Sequence, residues 1–283
     1  KFWSKSTSKG IYRTTNGGKD WERVLYVNDD TRANDIVIAH SNPKIIYASM
    51  WEYNDDTNIV ESVFGPNSGI YYSSDGGSNW KRSKNGLPDK PKIGRIGLAV
   101  SYQNAQKVYA LIDNRNETEG NSAEVYQSMN GGVTWKRSHN DTLRIFPGNN
   151  IGWYFADIYV NPKNDEEIYS LGVRMAHSMD GGKTFRTVGG NIQHLQPSPA
   201  QTLHLDHCEL WINPFNPNHL ALGNDGGLYV SYDKGANWLH LNNIPTGEFY
   251  DITLDDQEPY NIYGGVQDNA TVYGPAKEWN PHK

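Results

Sequence analysis

The sequence predicts an all-β protein, a β-propeller whose blades are four-stranded antiparallel sheets. Three observations support this prediction. One eight-residue turn is written five times along the 283 residues, strand-like runs flank the copies, and 18 Tyr, 9 Trp and 28 Gly accompany few helix-like stretches. Aromatic residues favour short strands, and self-similarity at a fixed period of this size is typical of blades or solenoid units.

Each position of the turn has a physical reason. The motif is Ser/Thr-x-Asp/Asn-x-Gly-x-x-aromatic, and its aromatics are Trp21, Trp80, Trp135, Phe185 and Trp238. An Asp or Asn side chain bonds nearby backbone N–H groups, a Ser or Thr hydroxyl adds a similar local bond, and glycine reaches positive φ cheaply. The closing aromatic opens the next strand and can bury a large area. We therefore expect purely structural roles for Asn16, Asp75, Asn130, Asp180 and Asp233.

One repeat can be divided into four strands. Residues 35–40 predict an inner strand, 44–51 a second, 69–73 a third, and 80–83 an outer strand after the turn. The same order recurs, which gives four complete blades at about 35–83, 94–138, 154–188 and 206–241. Such a meander repeated radially is a β-propeller. A stacked β-solenoid is the alternative, although its repeats are usually shorter.

Partial blades are expected at both ends of the chain, at 10–24 and 248–265. They could combine into a fifth blade that closes a ring, or each could continue into further blades. We favour the second interpretation, in which the chain is part of a longer protein. Residues 1–283 then form a single propeller region.

The turns resemble the Asp-box, or BNR, repeat of sialidases, sortilin-type receptors and xyloglucan-degrading hydrolases. Longer phrases, such as Gly94-Arg-Ile-Gly-Leu-Ala-Val100 and Tyr263-Gly-Gly-Val-Gln-Asp-Asn269, resemble bacterial BNR/VPS10-like proteins related to the sortilin N-terminal region. The resemblance covers nearly the whole chain. It implies a propeller fold and a secreted, periplasmic or cell-surface location, but it implies little about activity. At His207-Cys208 the chain departs from similar proteins, which tend to have a second adjacent histidine.

Composition limits the partners. The net charge of −6 and the pI of about 5.8 do not favour nucleic acid. No run approaches 18 apolar residues, so we expect no membrane span in this segment. Cys208 is the only cysteine, which excludes an internal disulfide. We expect a protein, peptide or glycan partner, and the chain could contribute to a larger envelope assembly.

Function is expected at one face of the propeller. The turns between first and second strands share a face with the eight-residue turns, so the remaining connections meet at the other face, around the channel mouth. Loops on a rigid scaffold usually carry function. The candidate ligand-binding residues there are Asp29, Asp30, Trp51, Arg95, Trp153, Tyr154, Arg174, His204, His207, Asn224, Gln267 and Asn269.

The sharpest constellation is His204-x-Asp206-His207. In an extended strand His204 and Asp206 share a face and His207 points away, so the three cannot bind one metal ion without a bend. A hydrogen-bonded cluster is the favoured interpretation, with a metal site or a general base as alternatives. No cofactor is assigned, although Asn28-Asp29-Asp30 and Asn54-Asp55-Asp56 could offer oxygens to calcium.

Two functional classes remain open. The first is a ligand-binding or scaffold module, and the second is a glycoside hydrolase with two carboxyl groups at catalytic spacing. The hydrolase candidates are Asp206, Asp225 and Asp268, followed by Asp29, Asp30 and Asp113. A sialidase would need three arginines, for which Arg95, Arg115 and Arg174 are available. No peptidase nucleophile motif is present. Binding is preferred over catalysis.

Overall fold

The computed structural model describes residues 5–53, 63–89, 91–114, 123–140, 152–188, 203–241, 243–244, 247–267 and 269–277. These residues form 21 β-strands in six antiparallel sheets. Sheet I contains β1 (Ile11–Arg13) and β2 (Glu22–Leu25); sheet II contains β3 (Thr31–Ile38), β4 (Ile46–Glu52), β5 (Gly69–Ser73) and β6 (Lys81–Arg82). Sheet III contains β7 (Ile93–Val100), β8 (Val108–Asn114), β9 (Ala123–Ser128) and β10 (Lys136–Arg137).

The remaining sheets follow in the same way. Sheet IV contains β11 (Asp157–Asn161), β12 (Asn164–Leu171), β13 (Met175–Ser178) and β14 (Arg186–Val188); sheet V contains β15 (His207–Ile212), β16 (Leu220–Asn224), β17 (Gly227–Ser231) and β18 (Leu239–Leu241). Sheet VI contains β19 (Phe249–Leu254), β20 (Asn261–Val266) and β21 (Thr271–Pro275). The all-β class and the four-stranded antiparallel sheets are confirmed. Among the described residues, sheets I and VI are separate sheets and do not combine into one blade.

The eight-residue turns connect the third and fourth strands in sheets II to V, and β1 and β2 in sheet I. In the turn after β5, Ser73 Oγ accepts a hydrogen bond from Gly77 N at 2.9 Å, and Asp75 Oδ1 accepts from Asn79 N at 2.9 Å. The side chain and backbone of Asn79 lower the pKa of Asp75 to about 2. The turn also docks onto the preceding hairpin, because Gly76 N donates to Lys44 O at 2.9 Å. Corresponding bonds from Gly131, Gly181 and Lys234 place the later turns beside the first-to-second-strand turns of their sheets.

The turn aromatics are buried to different degrees. Trp135 is 5% exposed and belongs to the core between sheets II and III, whereas Trp21 on the two-stranded sheet I is 61% exposed. Trp80, Phe185 and Trp238 are half-buried. The expected burial therefore depends on what the neighbouring sheet provides, since a single turn cannot cover its own aromatic.

The core lies between consecutive sheets rather than within them. At the III/IV and IV/V junctions, two residues in the second strand of the earlier sheet pack against two apolar residues in the inner strand of the next sheet. The second-strand residues are Tyr109 and Leu111 at the III/IV junction, and Tyr169 and Leu171 at the IV/V junction. The inner-strand residues are Ile158 and Val160 at the III/IV junction, and Leu210 and Ile212 at the IV/V junction. All of these residues are buried.

The V/VI junction departs from this pattern. By ladder register, the positions of Tyr109 and Leu111 correspond to Ala221 and Gly223 in sheet V. In the inner strand of sheet VI, the residues equivalent to Leu210 and Ile212 are Ile252 and Leu254, which are 57% and 56% exposed. Sheet V therefore lacks the bulky side chains that fill the III/IV and IV/V junctions, and sheet VI stands away from it.

Candidate functional site

The open V/VI junction forms a cleft of about 1360 Å³, which we call the junction cleft. Tyr154 and Phe155 approach it from the strand entry of sheet IV. It contains six of the sequence-predicted site residues: Tyr154, Asp206, Asn224, Asp225, Gln267 and Asn269. The further lining residues used below are Gly223, His240, Glu248 and Phe249. The connections that enter sheets V and VI thus meet at this cleft.

Amide side chains build the rim of the cleft. Asn269 Nδ2 donates to Asp225 O at 2.7 Å and to Gln267 O at 2.8 Å, which ties the β20–β21 turn to the β16–β17 turn. Asn224 Nδ2 donates to His204 O at 3.1 Å, and Asn224 Oδ1 accepts from Gly226 N at 2.9 Å. These amides are committed to the backbone, so their role here is to hold the loops that shape the cleft.

The His204-x-Asp206-His207 segment bends sharply. Asp206 adopts a φ of 61° and lies at the cleft, while its N–H donates to Val173 O at 3.1 Å. His207 is 2% exposed, and burial followed by the nearby His204 lowers its pKa to about 4. The bend turns Asp206 and His207 into different environments. Across the described ranges, no three His, Cys, Asp or Glu residues are arranged to hold a metal ion.

The predicted aromatic platforms separate into two kinds. Trp51 is 3% exposed, its indole N–H donates to Val63 O at 2.7 Å, and Arg32 stacks on its ring at 4.2 Å. Trp153 packs against the same small cluster. Tyr154 is 52% exposed and meets the Trp153 ring edge-on with centroids 5.5 Å apart. Only Tyr154 among these three lines the cleft, whereas Trp51 and Trp153 pack in a separate cluster with Val63 and Phe64.

A row of acidic residues crosses the inner strands and was not predicted. Asp35, Asp157, Glu209 and Asp251 occupy equivalent ladder positions in β3, β11, β15 and β19, opposite Ser49, Leu171, Gly223 and Gly265 of the second strands. In β7 the position is Gly97, where a Cβ would overlap the backbone of Ala156. The signal was present as an acid followed by alternating apolar residues in each inner strand, but comparing single positions between repeats was needed to find it.

Arg95 neutralises part of this row. Its guanidinium donates to Asp157 Oδ1 at 2.8 Å and Oδ2 at 3.0 Å, and also to Tyr154 O. Asp35 instead accepts from Leu98 N of the next sheet at 2.8 Å. Burial raises the pKa of Asp157 to about 6, because desolvation and the charges of Asp35 and Glu209 outweigh the favourable effect of Arg95. Burial also raises the pKa of Asp35.

Replacing Arg95 by methionine is expected to raise the pKa of Asp157 further above 6. The substitution removes the main charge that favours the carboxylate and leaves the burial and the acidic neighbours in place. A carbon-13 NMR titration of the carboxyl groups, with the Asp157 signal assigned through Asp157→Asn, measures the shift. Arg137→Met is the control, since Arg137 pairs with Glu124. A fall in the pKa of Asp157 would contradict this account of its environment.

Four other predicted residues, Asp29, Asp30, Arg174 and Asp113, do not line the cleft. Asp29 accepts from the Tyr26 hydroxyl, Asp30 pairs with Lys5 at 3.4 Å, and Arg174 is exposed. Asp113 is fully buried against Gly94 and Gly152. Asp268, Arg115 and residues 54–56 lie outside the described residues. The structure thus gathers the candidates from sheets V and VI and leaves those from sheets II and III apart from them.

Comparison with known proteins places the fold. No family model matches the chain. A sialidase from Bacteroides fragilis (strain YCH46) is 22% identical over 215 residues, which is 71% of this chain and 35% of the sialidase. The GH74 xyloglucanase from Xanthomonas campestris matches 84% of this chain with a TM-score of 0.52 and 16% identity, over 34% of its own length. YCF48 from Cyanidioschyzon merolae matches 94% of this chain and 76% of its own, with a TM-score of 0.49 and 14% identity.

The chain therefore spans about a third of the length of the sialidase and the xyloglucanase. The similarities to the sialidase and the xyloglucanase support a propeller-type fold of the BNR-repeat kind, in agreement with the succession of four-stranded sheets. At these identities they carry the fold alone. No helix in the described part of the chain is long and apolar enough to cross a membrane.

Proposed function

We propose that this chain is a ligand-binding or scaffold module that captures an extended polar ligand in the junction cleft. One observation carries the proposal: the III/IV and IV/V junctions are filled by tyrosine and leucine, while the V/VI junction has Ala221 and Gly223 at those positions. A concave site with a few polar groups and aromatic walls is the usual form of a binding pocket. The small residues keep the cleft open in a fold that otherwise closes such gaps.

The engagement of the carboxylates favours binding over catalysis. Asp35 accepts a backbone N–H, Asp157 is held bidentately by Arg95, and Asp113 is fully buried. Groups fixed in this way stabilise the channel wall. A polar ligand such as a peptide, protein or glycan could then be held at the mouth without being cleaved.

Filling the cleft is expected to abolish binding while the fold persists. A Cβ built on Gly223 meets no atom within 4 Å, so Gly223→Trp projects into the cleft without strain. We expect at least a tenfold loss of affinity for any ligand found on peptide or glycan arrays, which is about 1.4 kcal/mol or more. Gly274→Trp is the matched control, because Gly274 in β21 also faces open space and does not line the cleft.

Calorimetric titration of both variants with the array ligand measures the effect. Unchanged affinity in Gly223→Trp, with Gly274→Trp equally unaffected, would place the ligand elsewhere on the molecule. Equal losses in the two variants would mean that the cleft has no special part in binding.

A glycoside hydrolase is the second candidate, and the pKa of Asp157 is the observation that favours it. Burial raises that pKa to about 6, while Glu209 lies close enough to contribute to the shift. A carboxyl group whose pKa is raised towards neutrality can serve as a general acid, and a second carboxyl group nearby can serve as its partner. Asp157 would then be the general acid and Glu209 its partner.

Release of sugar decides between the two candidates. Polysaccharides would be incubated with the full-length protein, and soluble products followed by mass spectrometry. Under the hydrolase proposal Asp157→Asn and Glu209→Gln each lose product formation by at least a hundredfold, as expected for a general acid or base. Binding without released oligosaccharide supports the module.

Location outside the cytoplasm belongs to the same proposal. It is supported by the resemblance of the turns and longer phrases to secreted and envelope BNR proteins. Fractionation of the source cells, followed by detection with an antibody to this chain, tests it. Recovery with the cytoplasmic fraction would overturn the location while leaving the binding proposal standing.

A further inference from the structure

We infer that the junction cleft recognises a cationic peptide segment, one that carries lysine or arginine side chains. The inference rests on the proposed binding function and adds the chemical class of its ligand. It follows from three features of the cleft: the sign of its charge, its exposed aromatic rings, and a guanidinium already held at its edge.

The lining is acidic. Asp206, Asp225 and Glu248 line the cleft from both sheets, and among its described lining residues there is no lysine or arginine. His240 is the only histidine there, and its Nε2 lies 2.8 Å from Gly226 O while its ring stacks on Tyr229. A concave surface lined by one sign of charge concentrates ligands of the opposite sign.

Two aromatic rings stand in the same cleft. Tyr154 is 52% exposed and Phe249 is 46% exposed, and both line it. The Tyr154 ring is held by edge-on contacts with Trp153 and Phe155, at centroid distances of 5.5 and 4.7 Å. A cation placed over an aromatic face is attracted by the ring quadrupole, and a carboxylate beside it adds to the attraction. Aromatic faces and carboxylates in one cleft suit an ammonium or guanidinium group.

The wall already binds one guanidinium. Arg95 is held bidentately by Asp157 and by the backbone oxygen of Tyr154, the residue whose ring lines the cleft. The negative potential extends beyond this pair to the exposed Cys208. Partial desolvation raises the pKa of its thiol, and the charges of Asp225, Asp157 and Asp206 raise it further. The internal pair therefore shows the kind of contact that a ligand side chain would make a short distance further out.

A neutral glycan fits these observations less well. Two amide side chains that could bind sugar hydroxyl groups are already engaged, because Asn224 and Asn269 donate to His204 O, Asp225 O and Gln267 O. Stacking on Tyr154 would help a sugar and a peptide alike. Carboxylates can accept hydrogen bonds from sugar hydroxyl groups, but only a cation also gains from the negative charge of the lining.

Three blocked peptides of equal length test the inference: alternating Lys-Gly, Gln-Gly and Glu-Gly sequences, titrated calorimetrically into the full chain at low and moderate salt. We expect the lysine peptide to bind at least tenfold more tightly than the glutamine peptide, and the glutamate peptide not to bind. The preference should shrink as salt rises, because exposed charges are screened. Gly223→Trp should abolish binding of the lysine peptide.

Charge removal supplies the second arm. Asp206→Asn with Asp225→Asn should weaken the lysine peptide by about tenfold or more and leave the glutamine peptide unchanged. Asparagine tolerates the positive φ of Asp206, which limits damage to the fold. Asp256→Asn with Glu258→Gln is the control, since both acids lie on the exposed β19–β20 turn at the opposite end of sheet VI. If the double variant unfolds, Glu248→Gln repeats the test with one exposed side chain.

Each failure has its own meaning. Equal binding of the three peptides, or binding of the lysine peptide that Gly223→Trp does not affect, overturns the cationic assignment. Binding of a neutral cello-oligosaccharide that Gly223→Trp abolishes, with all peptides ignored, keeps the binding site and overturns the inference. Absence of binding to every peptide and glycan probe overturns the proposed function as well.

Discussion

Replacing Trp135 by alanine is expected to lower the free energy of unfolding by about 3–5 kcal/mol, the usual range for a buried tryptophan. Trp135 is 5% exposed and packs in the core between sheets II and III. Its indole N–H donates to Gly132 O at 3.1 Å, and its backbone N–H donates to Asn85 O at 2.9 Å. The side chain therefore holds the turn, its own sheet and the preceding sheet together, and alanine leaves a cavity among all three.

Trp21→Ala is the matched control. Trp21 occupies the same place in the first turn and makes the same indole bond, to Gly18 O at 3.2 Å, but it is 61% exposed. We expect a loss below about 1 kcal/mol there, because little apolar area returns to water. Urea unfolding followed by fluorescence and circular dichroism measures both. Similar losses in the two variants would show that the contribution of the aromatic to the free energy of unfolding comes from the local turn rather than from packing between sheets.

Replacing Lys234 by methionine is expected to cost about 3 kcal/mol, as for one partner removed from a buried ion pair. Lys234 Nζ donates at 2.8 Å to Glu167 Oε2, whose side chain is completely buried in sheet IV. Asn161 and Tyr169 also donate to this carboxylate, at 2.7 and 3.0 Å. Methionine keeps the length of the side chain and removes the charge, so it leaves Glu167 short of a cation. Lys183→Met, at an exposed position of the preceding turn, should change stability little.

Lys234→Gly separates the ion pair from the backbone. Four of the five turns have glycine after the Asp or Asn, at φ values between 71° and 75°, whereas Lys234 has a φ of 60°. A side chain in this region costs roughly 1–2 kcal/mol, which glycine does not incur. The glycine variant should therefore be destabilised less than the methionine variant by about that amount. Equal stabilities would mean that the turn at Lys234 is not strained.

The same contact predicts a pH dependence. Burial alone would raise the pKa of Glu167, but bonds from His177, Lys234 and Asn161 outweigh it and lower the pKa to about 2 from 4.5. A depressed carboxyl pKa stabilises the fold above the unfolded-state value, and this stabilisation is lost as pH falls from about 4.5 towards 2. Unfolding experiments across that window should show a smaller loss in Glu167→Gln than in the natural chain. An identical profile would exclude Glu167 as the titrating group.

The repeated turns could be predicted from sequence because their chemistry is local. Ser73, Asp75 and Gly77 bond one another within a few residues, so their spacing alone indicates the turn. The order of the strands followed from the same spacing. The junction cleft could not be found in this way, because it depends on which side chains of one sheet meet the next sheet across a junction.

The sequence nevertheless contained the necessary comparison. Tyr109-Ala-Leu111 and Tyr169-Ser-Leu171 align with Ala221-Leu-Gly223, and the loss of bulk is visible once the repeats are superimposed. The aromatics at the mouth were harder to place, since Trp51 and Tyr154 look alike as residues after or before a strand. Burial of Trp51 beneath Arg32 depends on three-dimensional neighbours that sequence spacing does not give.

The ion pairs between sheets also mean that the repeats cannot be exchanged. The position of Glu167 in sheet IV corresponds to Lys107 in sheet III, whose ammonium binds Asp165 and Glu166 of sheet IV. At one junction the earlier sheet supplies the cation, and at the next it supplies the anion. Placing sheet V directly after sheet III would set Lys107 against Lys234. Five nearly identical turns are thus combined with ion pairs of opposite polarity at the III/IV and IV/V junctions, which favour the natural order of these three sheets.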